Sequence, residues 1–325
     1  MRENFSLKPL YLFVDFFFIL SGFIISYVYA YKFDSGFKLS IYKKFLILRF
    51  GRLYPLHLFW LVILLGIIIS ASLLFRKNYF EDMSFTVPTL ISHLFLAQGL
   101  GLFNHLSWNY PSWSISSEFF CYIFFPALLL LARRKQPFLW LFLLLLVVGG
   151  YEYLIIEKGS LDLTFNYPLP RTILGFMLGI LAYRFYDYLG KKLEFTGFLH
   201  SFLVISLAIS FYYRVEIFTV LLFFGIVLTF SRAKGKTVKV LNHPILLKLG
   251  EISYSLYLAH WVCYAVFKNA FEFVFKIENI DAAGPLFVRI LFTVCYFASA
   301  IITALLTYKI VELPARSFFR KRIKF

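Results

Sequence analysis

Three features of this sequence predict an all-α polytopic membrane protein. Its 325 residues are 61% hydrophobic and only 15% charged, whereas soluble domains are nearer half apolar and about a quarter charged. Mean hydropathy is +0.78. Apolar runs of about the length that crosses a hydrocarbon core as a helix recur along the whole chain. They are continuous, without the period-two alternation that marks an outer-membrane barrel.

Nine runs read as spans: 11–31, 54–75, 113–132, 137–156, 170–189, 196–213, 216–231, 251–272 and 286–308. The basic loops assign the sides, because Lys and Arg concentrate on the cytoplasmic face. The stretch 32–52 holds Lys32, Lys38, Lys43, Lys44, Arg49 and Arg52, so it reads as an inside loop. So do "RRK" at 133–135, Lys191–Lys192, "SRAKGKTVKV" at 231–240 and the tail 309–325. Mixed or acidic loops at 76–82, 157–162 and 276–281 read as outside. The net charge of +16 is accounted for by this pattern, and no nucleic-acid partner is expected.

A weaker apolar segment, 87–103, carries His93 and Gln98. Alternation holds for all nine spans only if it does not cross. The stretch 87–112 is therefore expected to be a re-entrant or surface element on the outer side. Irregular backbone at membrane depth must be covered by protein or line a cavity, so 104–113 is a candidate cavity wall. Nine crossings with an inside C-terminus place the N-terminus outside, and the first ten residues hold no export signal. A cleavable signal peptide over 1–30 fits poorly, since Asp15 interrupts its apolar core. The count therefore predicts a further helix ahead of Met1. The whole of 1–325 reads as one integral membrane domain with a basic cytoplasmic C-terminus.

Several side chains stand out chemically. Asp15 and Glu118 lie inside apolar runs, where a carboxylate costs several kcal/mol and is a functional candidate by default. Asp15 could steer and stabilise a protonated histidine, and its natural partner is a basic group on the preceding helix. Glu118 could take a proton, orient a histidine or bind a hydroxyl. Its structural alternative is an ion pair with Arg171, which opens the fifth span. Arg49 and Arg52 are three apart and share a helix face. They suit forked hydrogen bonds to phosphate, or plain anchoring at headgroups. His57 follows Arg52 and could face the same cavity or be a satisfied structural histidine. Trp108, Tyr110 and Trp113 could form a sugar platform or an interfacial belt. Tyr254, Tyr257 and His260 share a helix face; His260 is either a catalytic or a structural histidine. Glu312 and Pro314 read as structural, the proline ending the last span. Cys121, Cys263 and Cys295 lie in apolar runs without metal or disulfide spacing and read as buried apolar residues. No metal site is expected.

Six stretches carry a resemblance: "FVDFFFILSGFIIS" (13–26), "RFGRLYPLHLFW" (49–60), "PSWSISSEFFCYIFFP" (111–126), "PRTILGFMLGILAY" (170–183), "LGEISYSLYLAHW" (249–261) and "VELPAR" (311–316). In this order, spanning nearly the whole chain, they resemble the acyltransferase-3 family of integral membrane acyltransferases. That resemblance implies about ten helices with both ends in the cytoplasm. It implies transfer of an acyl group, acetyl from acetyl-CoA by default, to a hydroxyl of a surface, lipid-linked or exported polysaccharide. No permanently bound cofactor is implied. Arg49 and Arg52 then become the acyl-CoA site. Glu118, His260 and Asp15 become catalytic candidates, and Trp108, Trp113, Ser114 and Arg171 substrate-binding ones. The expected partners are acyl-CoA, a glycan acceptor, the bilayer of the inner membrane and glycan-assembly proteins. The family's first helix carries a basic residue and, after ten intervening residues, a histidine regarded as catalytic. Here Arg2 is followed at that spacing by Phe13, and the first histidine is His57. Two other readings stay open: a transporter or flippase of a lipid-linked glycan, and a catalytically silent homologue.

Overall fold

A computed structural model describes residues 8–76, 82–190 and 197–323. Arg2, Lys191, Lys192, the start of the 196–213 span and most of the 76–82 loop lie outside the described residues. The helices, in chain order, are α1 (Phe13–Asp34), α2 (Leu39–Phe75), α3 (Val87–Leu94), α4 (Trp113–Leu131), α5 (Pro137–Lys158), α6 (Pro168–Leu189) and α7 (Gly197–Tyr213). Then follow α8 (Glu216–Phe230), α9 (Lys236–Leu241), α10 (Pro244–Phe275), α11 (Ile280–Ala283), α12 (Leu286–Thr307) and α13 (Leu313–Arg322). No strand occurs among the described residues.

Each of the nine predicted spans is helical. Five described stretches combine the length and the apolarity needed to cross a bilayer: Pro9–Asp34, Leu39–Leu74, Tyr110–Leu131, Pro137–Lys158 and Leu286–Arg322. Many large side chains point outwards, among them Phe138 (88% exposed), Phe198 (83%) and Ile156 (81%). Water would penalise such a surface and lipid accepts it. The protein is thus an all-α polytopic membrane protein.

The boundaries follow local chemistry. Thr86 caps α3 by accepting from Thr89 N, with Pro88 in the first turn. Gln136 precedes α5, whose first residue is Pro137, and Gly159 ends that helix in the left-handed conformation. That is the proline-first, glycine-last asymmetry of helices.

Two boundary expectations are corrected. The inside loop drawn over 32–52 is mostly helix: α1 runs to Asp34 and α2 starts at Leu39. At 37 residues, α2 is about 55 Å long, well beyond a hydrocarbon core of about 30 Å. Arg49 and Arg52 are therefore on the helix itself. Pro314 does not end the last span. The chain passes through a wide π turn, Tyr308–Glu312, and continues as α13 with Pro314 in its first turn, where a missing N–H costs nothing.

Among the described residues between α2 and α4 come a short turn at Met83–Phe85, the eight-residue α3, about 12 Å long, and then irregular backbone up to the short turn Tyr110–Ser112. That helix is too short to cross.

The residues divide into two units. The first comprises 1–43, 99–104 and 116–243; the second comprises 44–98, 105–115 and 244–325. In the first unit α1 packs on α6, and α8 packs on both. A Cβ at Gly22 would collide with the Phe176 carbonyl oxygen, and one at Gly179 with the Ile19 carbonyl oxygen. These two glycines set the close approach of α1 and α6, as small residues do between membrane helices. In the second unit α10 packs on α12, around Ile252, Ala304 and Tyr308 at one end and Ile280, Val288 and Phe292 at the other.

Candidate functional site

In the first unit α1 and α6 bring Asp15 against Arg171. Arg171 Nη2 is 2.6 Å from Asp15 Oδ2 and Nε is 3.1 Å from Oδ1. The side chains are 0% and 1% exposed. Tyr151 donates to Asp15 Oδ1 at 3.2 Å, and Arg171 also donates to the Tyr11 and Leu163 carbonyls. Such a pair is tolerable in a low-dielectric interior because each charge has its counter-charge and further hydrogen bonds. One expectation is corrected here: Arg171, weighed as the ion-pair partner of Glu118, pairs with Asp15 instead, which thereby has a cation on α6.

Glu118 sits on α4, half-buried. Its Oε1 accepts from the Ser21 hydroxyl of α1 and, at 2.6 Å, from Tyr122 one turn on. The two hydroxyls are 3.0 Å apart. Among the described residues Oε2 has no hydrogen-bond partner. The carboxylate is therefore held by one oxygen and offers the other. Ser116 and Ser117, beside it, take a bond from Gly99 N at 3.0 Å and from Thr172 at 2.8 Å. Ser21 and Asp15 are six residues apart on α1, about 9 Å along its axis, so Glu118 and the Asp15–Arg171 pair are separate features of this unit.

In the second unit Arg49 is half-buried and Arg52 exposed on α2. Between them Gly51 lies against Phe319 of α13, so closely that a Cβ would enter the ring. Glu312, buried, is held by the Ser255 hydroxyl at 2.6 Å and by Arg316 at 3.4 Å, and it feels the charge of Arg52. The arginine pair thus lies beside a helix bearing Arg316, Arg320, Lys321 and Arg322. Spacing along the sequence could not show that α13 folds back onto Gly51.

The same unit contains a polar cluster that the sequence reading named only in part. His57 and His93 are both 1% exposed, with parallel rings 5.7 Å apart. His57 Nε2 is 3.0 Å from the His93 carbonyl, so that nitrogen carries the proton and donates. Among the described residues His57 Nδ1, buried, has no hydrogen-bond partner. His93 Nε2 is 3.0 Å from Ser107 Oγ, its Nδ1 is 3.4 Å from Ser112 Oγ, and Gln98 donates to the Ser112 carbonyl at 3.0 Å. Trp108, 1% exposed, donates from its indole to Thr89 at 3.0 Å, and Trp113 is 5% exposed. Both are enclosed by protein, which corrects the belt alternative for these two rings.

On α10, Tyr257 donates to the Pro111 carbonyl at 2.8 Å and lies 2.7 Å from Ser114 Oγ. Tyr254 donates to the Leu53 carbonyl at 2.6 Å. His260 Nδ1 donates to the Tyr257 carbonyl at 2.7 Å. This places the proton on Nδ1 and leaves Nε2 as the basic lone pair, and the ring is half-buried. No group of three metal-ligating side chains occurs among the described residues.

A family profile described as an acyltransferase domain matches residues 10–309. Curated relatives include the "Putative O-acetyltransferase" proteins of Staphylococcus aureus strains COL, MSSA476 and MRSA252. Each is 23% identical over 339 aligned positions, covering 93% of this chain and 52% of the relative. The chain spans about half the length of the curated relatives it matches. No solved structure matches it.

Proposed function

The chain belongs to the acyltransferase-3 family, and on that premise we propose that it transfers an acyl group, acetyl first among them, from acyl-CoA to a hydroxyl of a surface, lipid-linked or exported polysaccharide. The observation that carries this reading is Glu118: a half-buried carboxylate anchored through Oε1 by Ser21 and Tyr122, with Oε2 unengaged. A carboxylate so held is oriented to accept the proton of an attacking hydroxyl.

In this reading the hydroxyl oxygen attacks the thioester carbonyl, its proton passes to Glu118, and the carbon–sulfur bond breaks to release the CoA thiolate. General-base help of this kind contributes about 10²–10⁴-fold. Arg49 and Arg52 bind the CoA phosphates, aided by the cations of α13. Arginine forks match phosphate oxygens and stay charged at any working pH. Within the second unit, His260 offers Nε2 as a basic lone pair, and Trp113 and Ser114 follow the short turn Tyr110–Ser112 as candidate acceptor contacts. Asp15 and Arg171 act indirectly, by fixing α1 and therefore Ser21. The basic loops support a cytoplasmic C-terminus, and the contact of Gly51 with Phe319 of α13 agrees with an approach of acyl-CoA to the arginine pair from that side.

The test is acetyl incorporation into cell-surface polysaccharide with the wild-type gene and two variants. Glu118→Gln should lower incorporation at least about a hundredfold without lowering the amount of protein in the membrane. Arg52→Ala should raise the acetyl-CoA concentration needed for half-maximal transfer. Unchanged transfer in both variants would overturn the site. Lost glycan export with intact acetylation would favour the transporter, and no wild-type transfer the silent homologue.

A further inference from the structure

A pocket of about 430 Å³ opens in the first unit where α1 gives way to α2. Its walls are apolar: Phe33, Phe37, Ile123, Phe124, Ala127 and Leu130. Tyr42 ties the wall together by donating to the Ile123 carbonyl at 2.7 Å. Asp34 also lines it. Both of that carboxylate's oxygens are taken by Arg184, at 2.7 Å each, and Arg184 is itself buried and bonded to the Ala132 carbonyl. The pocket's one acid is therefore neutralised from inside the protein.

The rim is different. Lys38 follows Phe37, Lys43 follows Tyr42, and Arg133 and Lys135 lie just past the end of α4. All four are exposed, and among the described residues none forms an ion pair. Arg134, lying between the last two, is paired with Asp187 at 3.3 Å. The apolar slot is thus flanked in sequence by four exposed cations, two next to its lining residues Phe37 and Tyr42 and two shortly after its lining residue Leu130. Inorganic phosphate would use the cations and leave the slot open. A neutral lipid would fill the slot and leave the cations unanswered. Acetyl-CoA has a pantetheine arm with two amides and a two-carbon acyl group, which would leave polar groups unanswered in an apolar slot.

We propose that this groove is a binding site for an anionic phospholipid, with one acyl chain against Phe33, Ile123 and Ala127 and the phosphate among Lys38, Lys43, Arg133 and Lys135. The attraction of basic residues to anionic headgroups acts within about a Debye length of the surface, which the exposed rim satisfies.

The test is native mass spectrometry of the purified full chain in detergent, with phosphatidylglycerol and phosphatidylcholine offered in equal amounts. Wild type should retain phosphatidylglycerol preferentially. Replacing all four rim cations by glutamine should cut that preference about tenfold or more. Ala127→Trp, which fills the slot and keeps the charges, should also reduce retention. Acetyl-CoA should not displace the lipid. Equal retention of the two lipids by wild type would overturn the proposal, and so would displacement by acetyl-CoA. Retention unaffected by Ala127→Trp would reduce the site to surface charge and overturn the groove. The four rim side chains are solvent-exposed, so their variant tests the charges even if the tryptophan variant fails to fold. None of these residues belongs to the acyl-transfer reading, so either proposal can fail alone.

Discussion

Asp15 and Arg171 show what a single residue pair can and cannot reveal. An aspartate in an apolar run demands a cation, because an unpaired buried charge is far costlier than a paired one. The demand was legible; the partner, 156 residues away, was not. Arg171→Met should lower stability by about 3–5 kcal/mol, since it strands the Asp15 charge. Adding Asp15→Asn should recover most of the loss. Thermal unfolding in detergent measures both, and a double variant no better than the single one would contradict the pairing argument. His57 and His93 are the opposite case. Each sits in an apolar stretch where one histidine reads as a satisfied structural group. Only their stacking, with Ser107 and Ser112 on the second ring, makes them a cluster. The available hint was that His93, Gln98, Ser107 and Ser112 fall within 87–112, the segment that charge alternation predicts not to cross.

At the scale of elements, the apolar runs located helices at the nine expected spans, five of them within stretches long and apolar enough to cross, and glycines decided how two helices meet. A Cβ at Gly179 would lie 2.6 Å from Phe23 N and 2.8 Å from Gly22 Cα, besides striking the Ile19 carbonyl. Gly179→Ala must push α1 and α6 apart and should cost at least about 1–3 kcal/mol. Gly149→Ala, on α5 with nothing within 4 Å, should be neutral or slightly stabilising, because alanine favours helix over glycine. Melting curves of the two variants should therefore move apart; equal losses would refute the close-approach argument. The long α2 and the continuation through the π turn into α13 escaped the hydropathy reading. Hydropathy follows the hydrocarbon boundary, whereas a helix stops only where its hydrogen bonds do. Proline at 314 marked a boundary in sequence and proved a first-turn residue in the fold.

For the whole molecule, the charge pattern makes a sided arrangement testable. Cysteines placed at Lys135 and Lys234, in a background with Cys121, Cys263 and Cys295 replaced by alanine, should be protected from an impermeant thiol reagent in intact cells. Cysteines placed at Glu157 and Glu278 should be labelled. Labelling of all four, or of Lys135 alone among them, would break the topology.

By itself the sequence determined that this is a helical membrane protein of the acyltransferase-3 family, where its spans lie, and which carboxylates and arginines are out of place in lipid. These are local properties: composition, run length and motif order survive without knowledge of contacts. Tertiary structure decided which charges cancel and which remain available. Arg171 is spent on Asp15 and Arg184 on Asp34, while among the described residues Glu118 keeps one oxygen unengaged and Lys38, Lys43, Arg133 and Lys135 form no ion pair. The reason is that an ion pair depends on distance in space. In a low dielectric, a few ångströms separate a silent buried pair from a group able to meet a ligand.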